Sequence, residues 1–391
     1  MWIKKRHSVS YVIIKPILWL ASKILYGFTP EKYKLEAGKP YLILSNHQTS
    51  FDQFMVNLSF PRLLYFVASE DIFSHGIVSS AIKYLVAPIP KSKGQRDSST
   101  IRNCMRVIKE GGAVCIFAEG NRTYSGCTEY IDPVIARFAK SLNATLILYN
   151  IEGGYGIESR WGASFAKGKS RGFVKRVISP EEIKEMSNEE LFSAIEEELR
   201  VSAFDSDAKY VGDKRAEYME RALYLCPDCN KYETLVSEKN TLTCTNCGYQ
   251  VEYMEDLKFN VINGKTQMKT VKEWYDYQKN YVNNMDIKNH QSSDIIFSDD
   301  EVEIFSVVKE KPRELIAKGK FAMYGDRIVL TNEEKSITYP IENVAEMEPL
   351  NKNSINMSFD GNIYKIKGQA RFNPLKYVNL FYHIKNVSEG L

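Results

Sequence analysis

Four short apolar runs set the frame: YLILS (41–45), LLYFVA (63–68), AVCIFA (113–118) and TLILYNI (145–151). None alternates with polar residues. A strand with one wet face alternates, and a strand covered on both faces does not, so these runs predict a parallel sheet between layers of helix. The stretches between them agree. SSTIRNCMRVIKE (98–110) predicts a helix that Ser98 or Ser99 opens and Gly111-Gly112 closes. Residues 35–222 therefore read as an α/β layered domain, with trailing helices over the charged stretch 181–222. A chain of 391 residues is too long for that domain alone, and two to four domains are expected.

The texture changes downstream. MKTVKEWYDYQKNYVNN (268–284) predicts a helix, and NHQSSD (289–294) reads as linker, within a linker-with-helix segment over 256–294. From Ile295, alternating strands such as VEIFSVV, GKFAMYGDRIVLT, KSITYPI, NSINMSF and NIYKIKG are joined by Gly, Asn and Asp turns. NPLKYVNLFYHIKNV (373–387) then reads as one amphipathic helix. Strands followed by a single closing helix resemble a PH-like or GRAM-like domain over 295–391, an analogy of fold alone.

Three of the seven cysteines are scattered, while Cys226, Cys229, Cys244 and Cys247 form two Cys-x2-Cys pairs. That is metal spacing in a reducing compartment, not a disulfide framework. Four thiolates so spaced suit one structural tetrahedral Zn²⁺, and residues 223–255 look like a zinc ribbon with no open coordination position. The segment is not notably basic, so a stabilising or protein-docking role is expected and no nucleic acid partner.

Residues 1–34 carry seven Lys/Arg and one Glu among apolar and aromatic residues. Lys15, Pro16 and Lys23 interrupt the apolar stretch from Ser8 to Phe28. A spanning helix wants about 20 apolar residues with few charges. An amphipathic helix at a phospholipid membrane fits better, with lysines snorkelling to the headgroups and Trp19, Leu20 and Ile24 in the acyl boundary. A true span and a plain packing helix are the alternatives.

His47 follows the first run in SNHQTSFDQ (45–53), with Asp52 five residues on. Ser50-x-x-Gln53 fits a capping box, which places His47 in a strand-to-helix loop and Asp52 in the first helical turn. Asp52 then orients one imidazole nitrogen and leaves the other free to take a proton from a substrate hydroxyl. A satisfied loop histidine is the bland reading. Glu119, Gly120 and Arg122, in IFAEGNRTYSG (116–126), come off another strand at its carboxyl end, where α/β sheets place ligands. Gly120 permits a tight turn, and Arg122 offers the planar fork that matches a phosphate.

Together, Asn46-His47-x4-Asp52 and Phe117-Ala118-Glu119-Gly120-Asn121-Arg122 resemble the glycerolipid acyltransferases, in particular the 1-acylglycerol-3-phosphate acyltransferases. PIPKSKG (88–94) resembles the family's short basic block, where Lys91 or Lys93 stands for an Arg. Ala118 and Asn121 replace a Pro and a Thr, and LILYNIEGGYG (146–156) lacks the family's later proline. The resemblance implies an α/β acyltransferase domain followed by the zinc ribbon and the β-rich PH-like domain. It further implies an enzyme on the cytoplasmic face of the cell membrane. His47 would take the proton of the acceptor hydroxyl as it attacks an acyl thioester, acyl-CoA or acyl-carrier protein, and Asp52 would steady the imidazolium. Arg122 with Lys91 or Lys93 would bind the acceptor phosphate, with Glu119 and Gly120 shaping that loop. Lysophosphatidate is the expected acceptor and phosphatidate the product. Glycerol 3-phosphate, another lysophospholipid, or a non-catalytic scaffold are the alternatives.

Overall fold

The computed structural model describes every residue except 70–76, 92–97, 288–293, 309–312 and 390–391. The chain divides into two compact units. The first comprises residues 1–160, 165–212 and 255–257; the second comprises 161–164, 213–254 and 258–391. Residues 213–222 and the paired cysteines fall in the same unit as the C-terminal strands.

The first unit is a mixed α/β layer structure. Its elements are α1 (Lys5–Tyr26), β1 (Phe28–Pro30), β2 (Tyr41–Ser45), α2 (Asp52–Leu58), β3 (Tyr65–Ser69), α3 (Ile77–Leu85), β4 (Ile89–Lys91), α4 (Ser98–Lys109) and β5 (Ala113–Phe117). There follow α5 (Val134–Leu142), β6 (Thr145–Glu152), α6 (Gly154–Ile157), β7 (Ser170–Ile178), α7 (Pro180–Glu185) and α8 (Asn188–Leu199). The seven-stranded sheet runs β1-β7-β6-β2-β5-β3-β4. All pairings are parallel except β6 with β7.

The four apolar runs become β2, β3, β5 and β6, and Leu42, Ile43, Leu44, Val114, Cys115, Leu146, Ile147 and Leu148 are all buried. Burial on both faces is the physical reason those runs do not alternate. Three strands were not foreseen. β1 and β4 have three residues each and leave no pattern, and β7 carries Arg171, Lys175 and Arg176 among its apolar residues.

The helical expectation over 181–222 holds only in part. α7 and α8 form, each opened by a reciprocal capping box, Ser179 with Glu182 and Ser187 with Glu190. Beyond Leu199 the chain is irregular apart from one 3-10 turn, Met219–Arg221. The Ala216 amide donates to the Lys239 carbonyl at 2.9 Å and the Tyr218 amide to Ser237 Oγ at 2.7 Å, so donors that a helix needs are spent elsewhere.

α1 contains Pro16 and buries His7, Tyr11, Ser22 and Tyr26. Tyr11 donates to the carbonyls of Asn57 and Phe60, and Lys15 Nζ also donates to Phe60 at 2.8 Å. Lys15 is therefore turned toward the protein rather than toward headgroups. Val9, Val12, Ile13, Ile17, Trp19, Leu20, Ile24 and Leu25 are exposed. By length and composition α1 is sufficient to cross a membrane.

The second unit is β-rich. β8 (Leu235–Glu238), β9 (Thr241–Cys244), β10 (Gln250–Tyr253) and β11 (Phe259–Asn263) form one antiparallel sheet, followed by α9 (Val271–Asn283). β11 lies beyond residue 255, inside what the sequence suggested was linker. The 289–293 part of that linker falls outside the described residues. The second sheet comprises β12 (Phe297–Val307), β13 (Glu314–Met323), β14 (Arg327–Thr331), β15 (Ser336–Pro340), β16 (Val344–Leu350), β17 (Ser354–Phe359) and β18 (Asn362–Lys367), in the order β15-β14-β13-β12-β18-β17-β16. α10 (Pro374–Glu389) closes the chain. β16 was missed: it is an edge strand bearing Pro349, which only an edge accommodates.

Candidate active site

The sheet order fixes where a site can form. The connection leaving β2 passes toward β3, and the one leaving β5 passes toward β6 on the opposite side of β2. Adjacent parallel strands whose connections leave in opposite directions form a crevice at their carboxyl ends. In register, Ser45 pairs with Phe117, so the loops carrying His47 and Glu119 emerge side by side.

The His47 loop is held by its own aspartate. Asp52 is fully buried. Its Oδ2 accepts from His47 Nδ1 at 2.8 Å, the Gln48 amide at 2.6 Å and the Thr49 amide at 2.9 Å, while Oδ1 accepts from Thr49 Oγ1. The expected capping box does not form. Phe51 is the N-cap, with no side-chain cap. Ser50 Oγ and the Ser50 amide instead donate to Glu158 Oε2, each at 3.0 Å, and Gln53 Nε2 donates to the Ser50 carbonyl. A buried carboxylate, Glu158, outcompetes the neutral side chain of half-buried Gln53 for the serine because hydrogen bonds to charged groups are the stronger.

The two loops clamp each other through main chain. The His47 amide donates to Glu119 Oε1 at 2.7 Å, and the Glu129 amide donates to Glu119 Oε2 at 2.7 Å. The Thr123 amide donates to the His47 carbonyl at 3.0 Å. Burial holds the Glu119 carboxyl well above its ordinary range, against the pull of those two amides. Gly120 turns the chain at φ +69°, with open space where a Cβ would lie, so the glycine serves conformation and not clearance. Asn46 locks the opposite side, exchanging two hydrogen bonds with the main chain of Ile151 on β6 at 2.9 and 2.7 Å.

The imidazole stacks on Phe117, with ring centroids 4.0 Å apart. Its Nε2 makes no hydrogen bond among the described residues, and the side chain keeps 17% of its exposure. Burial lowers the His47 pKa below 6.5; Asp52 opposes this, and Arg122 and Arg160 reinforce it. A neutral ring, oriented at Nδ1 and open at Nε2, can accept a proton.

Arg122 is not isolated. Its Nη1 donates to Glu158 Oε1 at 3.1 Å, and Arg160 Nη1 donates to the Arg122 carbonyl at 2.7 Å. Glu158 and Arg160, both buried, were missed by sequence reasoning. They follow the short α6, and no spacing ties them to either motif. Lys91 ends β4 and is exposed; β3 stands between β4 and β5, and no contact of Lys91 with His47, Asp52, Glu119 or Arg122 occurs among the described residues. Lys93 lies outside them.

A family model described as Acyltransferase matches residues 29–155. Residues 29–155 thus resemble an acyltransferase domain. A chloroplastic 1-acyl-sn-glycerol-3-phosphate acyltransferase of Brassica napus is 25% identical over 114 residues, 28% of this chain and 33% of that one. One of Arabidopsis thaliana is 28% identical over 88 residues, 22% of this chain and 24% of that one. The chain is thus similar to these enzymes over part of its length and spans a third or less of theirs. A crystal structure of PlsC, the 1-acyl-sn-glycerophosphate acyltransferase of Thermotoga maritima, superimposes with a TM-score of 0.42 at 20% identity, covering 50% of this chain and 80% of that one.

In the second unit the four Cys Sγ atoms lie within 4.8 Å of one another. Cys226 and Cys247 are 3.6 Å apart, and Cys229 and Cys244 3.8 Å. Four sulfurs about 2.3 Å from a tetrahedral centre are separated by about 3.8 Å, so the donor set fits a metal of that size. Each pair ends in the same turn: the Asn230 amide donates to the Cys226 carbonyl and the Gly248 amide to the Cys244 carbonyl, with Asn230 and Gly248 both at positive φ.

Proposed function

We propose that this protein transfers a fatty acyl group from an acyl thioester, acyl-CoA or acyl-carrier protein, to the free hydroxyl of lysophosphatidate, forming phosphatidate. The observation that carries the reading is the His47–Asp52 pair at the β2/β5 crevice, oriented at Nδ1 and open at Nε2, with a guanidinium in the adjoining loop. The resemblance of the two loop motifs and the related acyltransferases support it. The acceptor hydroxyl oxygen attacks the thioester carbonyl carbon, and its proton passes to His47 Nε2. The tetrahedral adduct then expels the thiolate, which takes the proton from the imidazolium. Asp52 offsets the transient positive charge. Arg122 holds the acceptor phosphate.

The other parts serve this chemistry. The exposed apolar face of α1 lies on a phospholipid membrane, at its cytoplasmic surface, and brings the site to its substrates. Cys226, Cys229, Cys244 and Cys247 hold one Zn²⁺ in a ribbon whose role is structural. The four-strand and three-strand meanders closed by α10 form a PH-like domain. The test is acyl transfer by purified protein with lysophosphatidate, glycerol 3-phosphate and lysophosphatidylcholine as acceptors. Transfer to lysophosphatidate that is lost in His47→Ala is expected. Undiminished transfer by that variant would overturn the mechanism, and a preference for another acceptor would overturn the substrate.

A further inference from the structure

Glu158 sits where three segments meet. Its Oε1 accepts from Arg122 Nη1 at 3.1 Å. Its Oε2 accepts from the Tyr26 hydroxyl at 2.6 Å, and from the Ser50 amide and Ser50 Oγ at 3.0 Å each. One buried carboxylate thus joins the end of α1, the turn between His47 and Asp52, and the loop carrying Arg122. The two oxygens divide the work: Oε2 holds structure, and Oε1 holds the cation.

We infer that Glu158 is a positioning residue that sets acceptor affinity, by fixing the Arg122 guanidinium at one distance from the catalytic imidazole. The inference rests on the reading of Arg122 as the acceptor-phosphate cation. A guanidinium has five N–H donors, so one spent on Glu158 leaves others for a phosphate. An arginine ordered beforehand loses less side-chain freedom when the phosphate arrives. The main chain of this loop does not depend on Glu158, because Arg160 Nη1 holds the Arg122 carbonyl and Glu119 ties the loop to His47 and Glu129. Loss of the Oε1 contact should therefore free the Arg122 side chain without dissolving the site.

Glu158→Gln separates the two halves. Its amide oxygen can keep the Tyr26 and Ser50 donors, and its NH2 group then faces Arg122 and cannot accept. We expect KM for lysophosphatidate to rise about 3- to 10-fold, the cost of ordering one long side chain on binding. KM for the acyl thioester and kcat should stay within about twofold, and Arg122→Ala/Glu158→Gln should show no more loss of acceptor affinity than Arg122→Ala. Ser50→Ala and Tyr26→Phe cut only Oε2 contacts and should leave acceptor KM unchanged. If they raise it as much as Glu158→Gln does, Glu158 is merely structural and the inference fails. If Arg122→Ala raises acceptor KM and Glu158→Gln does not, the inference fails while the reading of Arg122 stands. If neither variant changes it, the reading of Arg122 fails first.

Discussion

Replacing Asp52 by Asn isolates the charge beside His47 from the hydrogen bonds around it. Oδ2 of Asp52 accepts from the imidazole and from the Gln48 and Thr49 amides, whereas Oδ1, among the described residues, accepts only from the Thr49 hydroxyl. An asparagine can place its carbonyl oxygen at the three-donor position and its NH2 group toward Thr49, whose hydroxyl can turn to accept. The loop and the imidazole tautomer then survive, and the negative charge does not. The contact is 2.8 Å between heavy atoms, which puts the charge centres about 4 Å apart, where an effective dielectric of 20 gives about 4 kcal/mol of stabilisation for an imidazolium. The imidazolium exists only after proton transfer, so most of that energy is lost from the transition state and kcat should fall about 10³-fold. Thiol release from an acyl thioester with saturating lysophosphatidate measures it, and circular dichroism confirms the fold. Asp52→Ala, by contrast, strands two backbone amides at about 1–3 kcal/mol each and should also lower Tm by several degrees. A folded Asp52→Asn protein within tenfold of wild-type kcat would refute the assigned role of the charge.

The pH dependence follows from the depressed imidazole. Burial lowers the His47 pKa, so the acid limb of kcat/KM should lie at lower pH than an ordinary imidazole would give, with the rate falling as the pH drops through it. Arg122→Ala removes a neighbouring cation and should move the acid limb upward; an unmoved limb contradicts the electrostatics. Cys226→Ser should abolish binding of the one zinc expected per chain, read by metal analysis of purified protein. Ile13, Ile17 and Ile24 are each about two-thirds exposed on α1; aspartate at all three should cut sedimentation with anionic vesicles at least tenfold, since each isoleucine contributes on the order of 1 kcal/mol or more when buried. Binding of the wild type should fall only partly in high salt, because apolar burial is not screened.

Legibility in the sequence tracks burial and contiguity. β2, β3, β5 and β6 could be read because continuous apolar runs have one cheap explanation. β1 and β4 are set by the neighbours they pair with, and three residues carry no period. His47, Asp52, Glu119 and Arg122 stood out because the members of each pair are only a few residues apart in one short stretch, where spacing implies proximity. Glu158 reaches the site from a third segment, and nothing in GIESRWG distinguishes its carboxylate from a surface one. Ser50 and Gln53 had the right spacing for a cap. Spacing alone does not reveal that a buried carboxylate 108 residues away would claim the serine. The stretch 213–222 failed for the same reason: the amides of Arg215, Ala216 and Tyr218 answer to a hairpin that follows it in the chain.

The pairing of β2 with both β5 and β6 bears on how the molecule matures. Tyr41 lies beside Ala113 on one side and Thr145 on the other, so the central strand finds its partners only after long stretches of chain have closed into loops. Such pairings form late and slowly. His47 and Glu119 hang from the ends of those same strands, and their mutual clamp cannot exist until the register of β2 and β5 is set. In refolding from denaturant, recovery of helical signal should therefore precede recovery of acyl transfer. A partly assembled chain would carry every residue of the site and none of its geometry.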